Sequence, residues 1–150
     1  MTFRTAKLSD LPRLYELEQK VVEAERPFNS SIKSESASYY DIESLIENPN
    51  SCLLVAEIAE QIIATGYAQI RDSKRSLNHE QHAYLGFMYV APEHRGQGLN
   101  QQLIDELITW CKSEGIFDFY LDVYLENESA VKAYEKAGFT PTLLEMKLNL

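Results

Sequence analysis

The sequence contains little cysteine and no long hydrophobic run, and both absences narrow the classes of protein it can encode. Cys52 lies in an apolar stretch and Cys111 on a predicted helix, without a CxxC pair or Cys/His ligand spacing. We therefore expect buried, reduced thiols and no metal site. No apolar run approaches the roughly 20 residues that span a bilayer. The first residues also lack the apolar core of a secretory signal, so we expect a cytoplasmic protein with no membrane partner.

Positive charge is also scarce. Lys and Arg number 14 against 23 Asp and Glu, which gives a formal net charge of −9. A nucleic-acid-binding protein needs a basic stripe to neutralise phosphates, so we expect no nucleic-acid partner. The acidic balance is compatible with a cationic substrate such as an amine, and equally with a surface that serves solubility alone. The length of 150 residues, without repeats or linkers, indicates one domain over residues 1–150.

Hydrophobic spacing predicts a mixed α/β domain. The first part is predicted as a strand, two helices and a three-stranded antiparallel meander, over residues 3–7, 9–26, 38–48, 52–58, 62–70 and 81–90. The second part is predicted as helix, strand, helix and two closing strands, over residues 98–115, 117–124, 127–138, 139–142 and 144–148. The expected architecture is a mostly antiparallel central sheet of about seven strands flanked by about four helices. Gly66 is a candidate bulge within its strand.

A glycine turn joins the last strand of the meander to the following helix. The strand ends at Val90-Ala91-Pro92, and the turn reads Arg95-Gly96-Gln97-Gly98. Glycines turn backbone N–H groups inward, and the first N–H groups of a helix are unpaired and partly positive, so such a junction suits a phosphate or pyrophosphate. The third glycine of a dinucleotide fingerprint and the Gly-Lys of a Walker loop are both missing. Alone, the turn also fits an ordinary strand–helix connection.

A second strand–turn–helix unit follows, with Asn127 at its helix start, Tyr134 within the helix and Gly138-Phe139 at its end. In the GCN5-related N-acetyltransferase (GNAT) superfamily the turn reads Arg or Gln, two residues, Gly, one residue, then Gly or Ala. The glycine turn and this second unit together resemble that superfamily. The resemblance covers nearly the whole chain, from Phe3 onward. The chain departs from the pattern at Asn100, where Gly or Ala is usual.

The resemblance implies acetyl-CoA, or a close acyl-CoA, as the donor. Its pyrophosphate would accept hydrogen bonds from the backbone of the turn, which comprises Arg95, Gly96, Gln97, Gly98, Leu99 and Asn100. The pantetheine arm would pair like an added strand with the backbone of Met88 and Val90, which requires the strands ending near Val90 and Tyr124 to splay. Asn127 would hold pantetheine or a water, or serve as a plain helix cap.

The resemblance also assigns a catalytic role. The Tyr134 hydroxyl would protonate the departing thiolate as a general acid, the alternative being a buried tyrosine whose hydroxyl has a partner. Backbone N–H groups near Met88 would stabilise the oxyanion. Strand alternation places four residues on one face, namely His82, Tyr84, Gly86 and Met88. Gly86 occupies a position where a base could stand, so a water-mediated route or an already neutral amine remains open, with His82 and Glu25 as candidate bases.

The acceptor pocket is expected to be walled by the loop 23–38, by Tyr84 and Gly86, and by the closing strands around residues 140–144, with Glu25 and Phe28 among the residues that could hold an amine. The predicted function is acetyl transfer from acetyl-CoA to a primary amine, of a small molecule or a peptide, directly through a tetrahedral intermediate. One alternative is a catalytically silent acyl-CoA-binding or regulatory module on the same fold. Another is an unrelated phosphate-binding α/β protein. An exposed closing strand would be compatible with a homodimer.

Overall fold

A computed structural model describes all 150 residues. The strands are β1 (Thr2–Thr5), β2 (Ser51–Ile58), β3 (Gln61–Asp72), β4 (Gln81–Val90) and β5 (Phe119–Tyr120). The helices are α1 (Leu11–Glu25), α2 (Ile42–Glu47), α3 (Leu99–Ser113) and α4 (Glu128–Lys136). Short 3-10 turns precede α1, follow it, and precede the glycine turn. None of the helices has the length and apolar character to cross a membrane.

The five strands form one sheet in chain order. The first four are antiparallel neighbours, and β5 runs parallel to β4 after the α3 crossover, as the sequence predicts. The mixed α/β class is therefore confirmed, with five strands rather than seven. The strand predicted over 117–124 is reduced to Phe119–Tyr120, and the closing strands predicted over 139–142 and 144–148 are absent. Residues 140–150 make no backbone hydrogen bond, and a strand forms only where another backbone edge pairs with it.

Helices cover both faces of the sheet. Strands β2 and β3 carry the uninterrupted buried runs 52–56 and 62–68, which only a sheet packed on both sides can bury. A side chain at Gly66 would meet Met88 of β4 and Leu107 of α3. The next residue, Tyr67, contacts Tyr40 just before α2. Neighbouring strand residues face opposite sides. We conclude that α3 lies on one face and α2, with the α1 that contacts it, lies on the other.

Ion pairs and buried carboxylates fix where the first helices begin. Asp10, rather than the expected Ser9, is the residue before α1, and its carboxylate accepts from the Lys7 N–H at 2.8 Å. Arg4 donates to Asp10 at 2.8 Å and to Glu57 at 2.6 Å, which ties β1 to both β2 and the start of α1. The hydrogen bond from Arg4 lowers the pKa of Asp10.

The segment before α2, predicted as helix from residue 38, has no regular secondary structure. The carboxylate of Glu18, only 3% exposed, accepts from the N–H groups of Tyr39 and Tyr40, both at 2.9 Å. These two N–H groups are thereby satisfied without a helix, and α2 begins only at Ile42, capped by Asp41. Glu18 therefore places two aromatic side chains at the end of the sheet.

One irregularity interrupts the pairing of β3 with β4. Thr65 pairs with Tyr89 and Tyr67 pairs with Gly86, so Phe87 and the residue after it together face the single residue Gly66. This is a β-bulge on β4, opposite the glycine that the sequence singled out. Phe87 has a φ of 52°, uncommon for a residue with a side chain. The fully buried hydroxyl of Thr65 donates to the Phe87 carbonyl at 2.7 Å and holds the bulge.

Replacing Thr65 with valine is expected to destabilise the fold by about 1–3 kcal/mol, because the buried Phe87 carbonyl loses its donor. The free energy of unfolding, measured by urea denaturation, checks this. Thr109→Val is the matched control, since the Thr109 hydroxyl also donates to a backbone carbonyl, at 2.9 Å, but at an exposed site where water replaces it. Equal loss in both variants would contradict a special role for the buried bond.

Candidate functional site

Strands β4 and β5 diverge and leave an open wedge between them. They pair only at Ala83–Phe119 and Tyr84–Tyr120, after which β4 continues without a neighbour on that side. The Ala91 N–H donates to the Ile63 carbonyl at 2.8 Å. In an antiparallel pair, successive residues alternately direct their main-chain groups toward and away from the neighbouring strand. The N–H and C=O of Val90 therefore face away from β3 and toward the wedge. The structure thus has the splay that the resemblance requires.

The glycine turn lies at the end of this wedge. Gly96 and Gly98 both have a φ of 78°, and a Cβ at either position would meet no atom within 4 Å. Backbone conformation, not crowding, therefore requires glycine here. No protein acceptor takes the N–H groups of residues 96–101, and the first helical bond is from the Gln102 N–H to the Gly98 carbonyl. The turn presents a cluster of free donors at the positive end of α3.

Arg95 connects the turn to the strand. Its Nε donates to the Val90 carbonyl at 2.8 Å, and its guanidinium lies 5.7 Å from the centre of the Tyr89 ring. The side chain therefore fixes the turn against the last residues of β4 while keeping its charge beside the free N–H groups. Leu99 is buried under the turn, and Asn100 is partly exposed in the first turn of α3.

Helix α4 brings Asn127 and Tyr134 to the site region. The Asn127 side-chain oxygen accepts from the Ala130 N–H at 3.4 Å, which is the capping contact, and its amide N–H₂ group remains free. The Tyr134 ring packs edge-on against Phe139, with centroids 6.2 Å apart. The Tyr134 hydroxyl has no hydrogen-bond partner in the protein. Burial, and then the charge of Glu25, raise the pKa of Tyr134 to about 12, so the phenol holds its proton at neutral pH.

Glu25 and Phe28 lie at the end of α1 on the acceptor side. Burial raises the pKa of Glu25, and the neighbouring Tyr39 hydroxyl partly offsets this. The Glu25 charge contributes to raising the pKa of both Tyr39 and Tyr134. Phe28 stacks on Tyr124, with ring centroids 6.2 Å apart. Residues from both ends of the chain thus form one wall.

The space beside the Gly86 backbone, where a side chain would lie, is filled by a neighbouring residue. A Cβ at Gly86 would lie 2.5 Å from the Tyr67 ring, so no larger residue fits while Tyr67 keeps its position. Tyr67 in turn contacts Tyr40, with centroids 5.9 Å apart. The prediction that residues 82, 84, 86 and 88 share one face of the sheet is wrong for Met88. The bulge at Phe87 turns Met88 to the α3 side, where it lies over Gly66.

Tyr84 lies where β4 and β5 begin to part. Its hydroxyl donates to the Asp122 carboxylate at 3.0 Å, and the Arg71 guanidinium lies 4.1 Å from its ring centre. Burial, followed by the charge of Asp122, raises the pKa of Tyr84. Tyr84 is thus held on the rim, with a carboxylate and a cation exposed beside it.

His82 belongs to a separate cluster at the start of β4. Its Nδ1 is 2.8 Å from the Ser73 hydroxyl, which is also 2.7 Å from Nδ1 of His79. Burial, and then the neighbouring His79, lower the pKa of His82. At about 3.3 Å per residue, His82 is roughly 20 Å along the strand from Met88. The structure brings Glu25, and not His82, toward Tyr134.

Sequence reasoning missed three residues of the site: Tyr67, Arg71 and Asp122. Their roles depend on which residue of a neighbouring strand each one faces. The one available signal was Gly86 within an aromatic strand, because a glycine there often marks the close approach of another group. Identifying that group as Tyr67 requires the register of β3 on β4.

Comparison with known proteins identifies the family. The model described as the acetyltransferase (GNAT) family matches residues 14–139. The uncharacterized N-acetyltransferase YobR of Bacillus subtilis (strain 168) is 35% identical over 82 residues, which cover 55% of this chain and 30% of that protein. Aminoglycoside N(6')-acetyltransferase type 1 of Acinetobacter genomosp. 13 is 26% identical over 110 residues, covering 72% of this chain and 75% of that protein.

Among solved structures, a predicted acetyltransferase from Clostridium acetobutylicum, crystallised with acetyl-CoA, superposes with a TM-score of 0.73 at 22% identity and shows the same fold. That match covers 99% of this chain and 95% of the other. The sequence matches span only 30% to 51% of the first curated relatives. The match to the family model, however, covers most of the present chain. The chain belongs to the acetyltransferase (GNAT) family.

Proposed function

We propose that this protein is an N-acetyltransferase that moves an acetyl group from acetyl-CoA to a primary amine. The observation that carries the proposal is the free N–H cluster of residues 96–101 at the end of an open strand edge. A pyrophosphate needs several donors close together, and an amide-rich arm needs an unpaired strand edge. Acetyl-CoA carries both groups in sequence.

The donor is expected to bind mainly through the protein backbone. The N–H groups from Gly96 to Asn100, with Arg95 beside them, hold the pyrophosphate. The main-chain groups of Met88 and the N–H of Val90 pair with the pantetheine amides, since the Val90 carbonyl already accepts from Arg95. The free amide of Asn127 provides a further donor from the opposite side of the wedge.

A cationic acceptor first loses one proton to water, and transfer begins when the resulting neutral amine nitrogen attacks the thioester carbonyl. The new C–N bond forms while the carbonyl oxygen becomes an oxyanion, for which backbone N–H groups near Met88 are donors. When the intermediate collapses, the C–S bond breaks and the Tyr134 hydroxyl protonates the thiolate. The amine proton leaves to water or to Glu25. Tyr134 suits this role because its hydroxyl is protonated at neutral pH and has no competing partner.

The acceptor side favours a cationic amine with an apolar body. Glu25 supplies a half-buried carboxylate that can pair with an ammonium group, and the Tyr39 hydroxyl lies beside it. Phe28 and the Tyr40 ring provide apolar surface, and Tyr40 stacks on Phe87 at 4.7 Å. The name of the Acinetobacter relative, an aminoglycoside acetyltransferase, is consistent with a polyamine-like acceptor.

The alternative is an acyl-CoA-binding module without catalysis, and Gly86 favours it, because Tyr67 leaves no room for a carboxylate on β4. Thiol release from acetyl-CoA across a panel of primary amines separates the two. The proposal predicts release with at least one cationic amine. Tight acetyl-CoA binding with no release for any amine would favour the silent module.

Tyr134→Phe is expected to lower kcat by about 10²-fold, the usual size of general-acid catalysis, with an unchanged Kd for acetyl-CoA. Thiol release and calorimetric binding measure the two quantities. Tyr15→Phe, at an exposed tyrosine of α1, is the control and should leave both unchanged. Full turnover by Tyr134→Phe would eliminate the acid role.

Gly98→Ala is expected to weaken acetyl-CoA binding by about tenfold, or 1.4 kcal/mol, because alanine at a φ of 78° distorts the donor turn. Gly115→Ala is a matched control at the other end of α3, where φ is 80° and no atom lies near the new Cβ. Both variants should lose similar stability in thermal unfolding, and only Gly98→Ala should lose affinity. If Gly98→Ala and Gly115→Ala bound acetyl-CoA with equal affinity, the glycine turn would not be part of the donor site.

Glu25→Gln is expected to raise KM for a cationic amine by about tenfold, or 1.4 kcal/mol, because the half-buried carboxylate no longer pairs with the ammonium group. Because burial raises the pKa of Glu25, the carboxylate loses its charge as pH falls through that raised value. Wild-type kcat/KM should therefore decline on the acid side, and this decline should be weaker in Glu25→Gln. Glu23→Gln, at the exposed carboxylate that pairs with Arg26, is the control. An unchanged pH profile in Glu25→Gln would remove Glu25 from the site.

A further inference from the structure

Arg71 is a cation on the acceptor side of the sheet that has no carboxylate partner. Arg4, Arg13 and Arg26 each form an ion pair with an acidic side chain. Arg71 has no carboxylate oxygen within 4.0 Å of its guanidinium, although the chain contains 23 Asp and Glu. Its side chain is exposed. The guanidinium is therefore available to an anion from outside the protein.

Two contacts hold the guanidinium of Arg71 in one orientation. Its Cζ lies 4.1 Å from the centre of the Tyr84 ring, so the flat face of the group rests on an aromatic surface. Its Nε donates to the Gln69 side-chain oxygen at 2.8 Å. The edge formed by the two terminal nitrogens is left for a ligand, and a carboxylate binds such an edge through two parallel hydrogen bonds. Because the side chain is already ordered, binding costs little further entropy.

The nearby carboxylate of Asp122 does not neutralise Arg71. It accepts a hydrogen bond from the Tyr84 hydroxyl at 3.0 Å, at the far end of the ring on which the guanidinium lies. It is not within 4.0 Å of the guanidinium. Asp122 therefore holds Tyr84 in place as a support for Arg71 and leaves the positive charge unpaired.

A row of tyrosine rings connects Arg71 with the Glu25 side of the candidate site. This aromatic row comprises Tyr84, Tyr67, Tyr40 and Tyr39. Neighbouring ring centres in the row lie 6.4, 5.9 and 5.6 Å apart, in that order. The hydroxyl of the last ring lies beside the Glu25 carboxylate. A cation and an anion of the protein thus lie at opposite ends of an aromatic surface.

We propose that Arg71 binds a carboxylate of the acceptor, and that the acceptor is an elongated amine with this carboxylate at its far end. The ammonium group faces Glu25 before it loses its proton, the body of the molecule lies along the aromatic row, and the carboxylate reaches Arg71. The inference rests on the proposed acetyl transfer, for which it names the acceptor class. Tyr84 is four residues before Met88 on β4, which sets the distance from reacting nitrogen to carboxylate at roughly 13 Å. An extended peptide spans this distance with about four residues.

The first test compares peptides that differ in the far carboxylate alone. Tetra-alanine carries its carboxylate about 13 Å from its amine, and tetra-alanine amide has the same length without the charge. Calorimetric titration into CoA-saturated protein gives both Kd values without turnover. Tetra-alanine is expected to bind at least about tenfold more tightly, because the amide cannot form the charged pair of hydrogen bonds. Dialanine is too short to reach Arg71 and should show no such preference over dialanine amide.

Substitutions at Arg71 assign the preference to this side chain. Arg71→Gln should abolish the preference for tetra-alanine over its amide, and Arg71→Lys should retain only part of it, since an ammonium group lacks the planar fork. Arg75→Gln is the matched control, because it removes the same charge from an exposed arginine without an ion pair in the loop between β3 and β4. Thermal unfolding verifies that each variant is folded.

Three results would overturn the proposal: equal Kd values for tetra-alanine and its amide, no binding of either peptide, or an unchanged preference in Arg71→Gln. Thiol release with the same peptides separates this proposal from the proposed function. A carboxylate preference in binding, with no thiol release for any amine, would refute acetyl transfer and retain the Arg71 subsite. Thiol release with other amines, without a carboxylate preference, would retain acetyl transfer and refute the subsite.

Discussion

The hydrogen bond from the Thr65 hydroxyl to the Phe87 carbonyl holds the irregularity on which the site depends. A regular β4 would keep its neighbour to the end and leave no gap. With the bulge at Phe87, β4 twists more strongly and parts from β5 after the Tyr84–Tyr120 pair. Strain at a φ of 52° persists because a buried donor satisfies the carbonyl that the bulge displaces. The position of Met88 on the α3 side follows from this bulge, and the open wedge lies along the same strand.

The same bulge explains why the acceptor side has no carboxylate on β4. It lets the Tyr67 ring cross to Gly86, and that ring continues into a cluster with Tyr40 and Phe87. Glu18 contributes from a distance, since its buried carboxylate holds Tyr40 in place through the main chain. The acidic group of this side is therefore Glu25 from α1. Aromatic side chains fill the space next to the sheet, and the carboxylate on this side comes from the end of a helix.

Local sequence patterns were enough to predict the four helices, the meander and the donor turn, because each consists of consecutive residues with its own spacing and caps. Asn127 before α4 and the two glycines before α3 are of this kind. Contacts between distant segments were not predictable in this way. The pairing of Tyr67 with Gly86 needs a strand register. The prediction of closing strands was wrong because alternation indicates a strand but not the edge that pairs with it.

The donor side and the acceptor side of the candidate site depend on different features of the sequence. The proposed donor binding relies on backbone N–H groups, whose positions depend on two glycines and a helix start, so most side chains around it are free to vary. The proposed acceptor binding relies on side chains from α1, β3, β4 and the segment after β5, each placed by a different long-range contact. A substitution at Phe28 or Tyr84 therefore alters the acceptor wall without moving the donor turn. This separation allows one fold to keep its acyl donor while its acceptor changes.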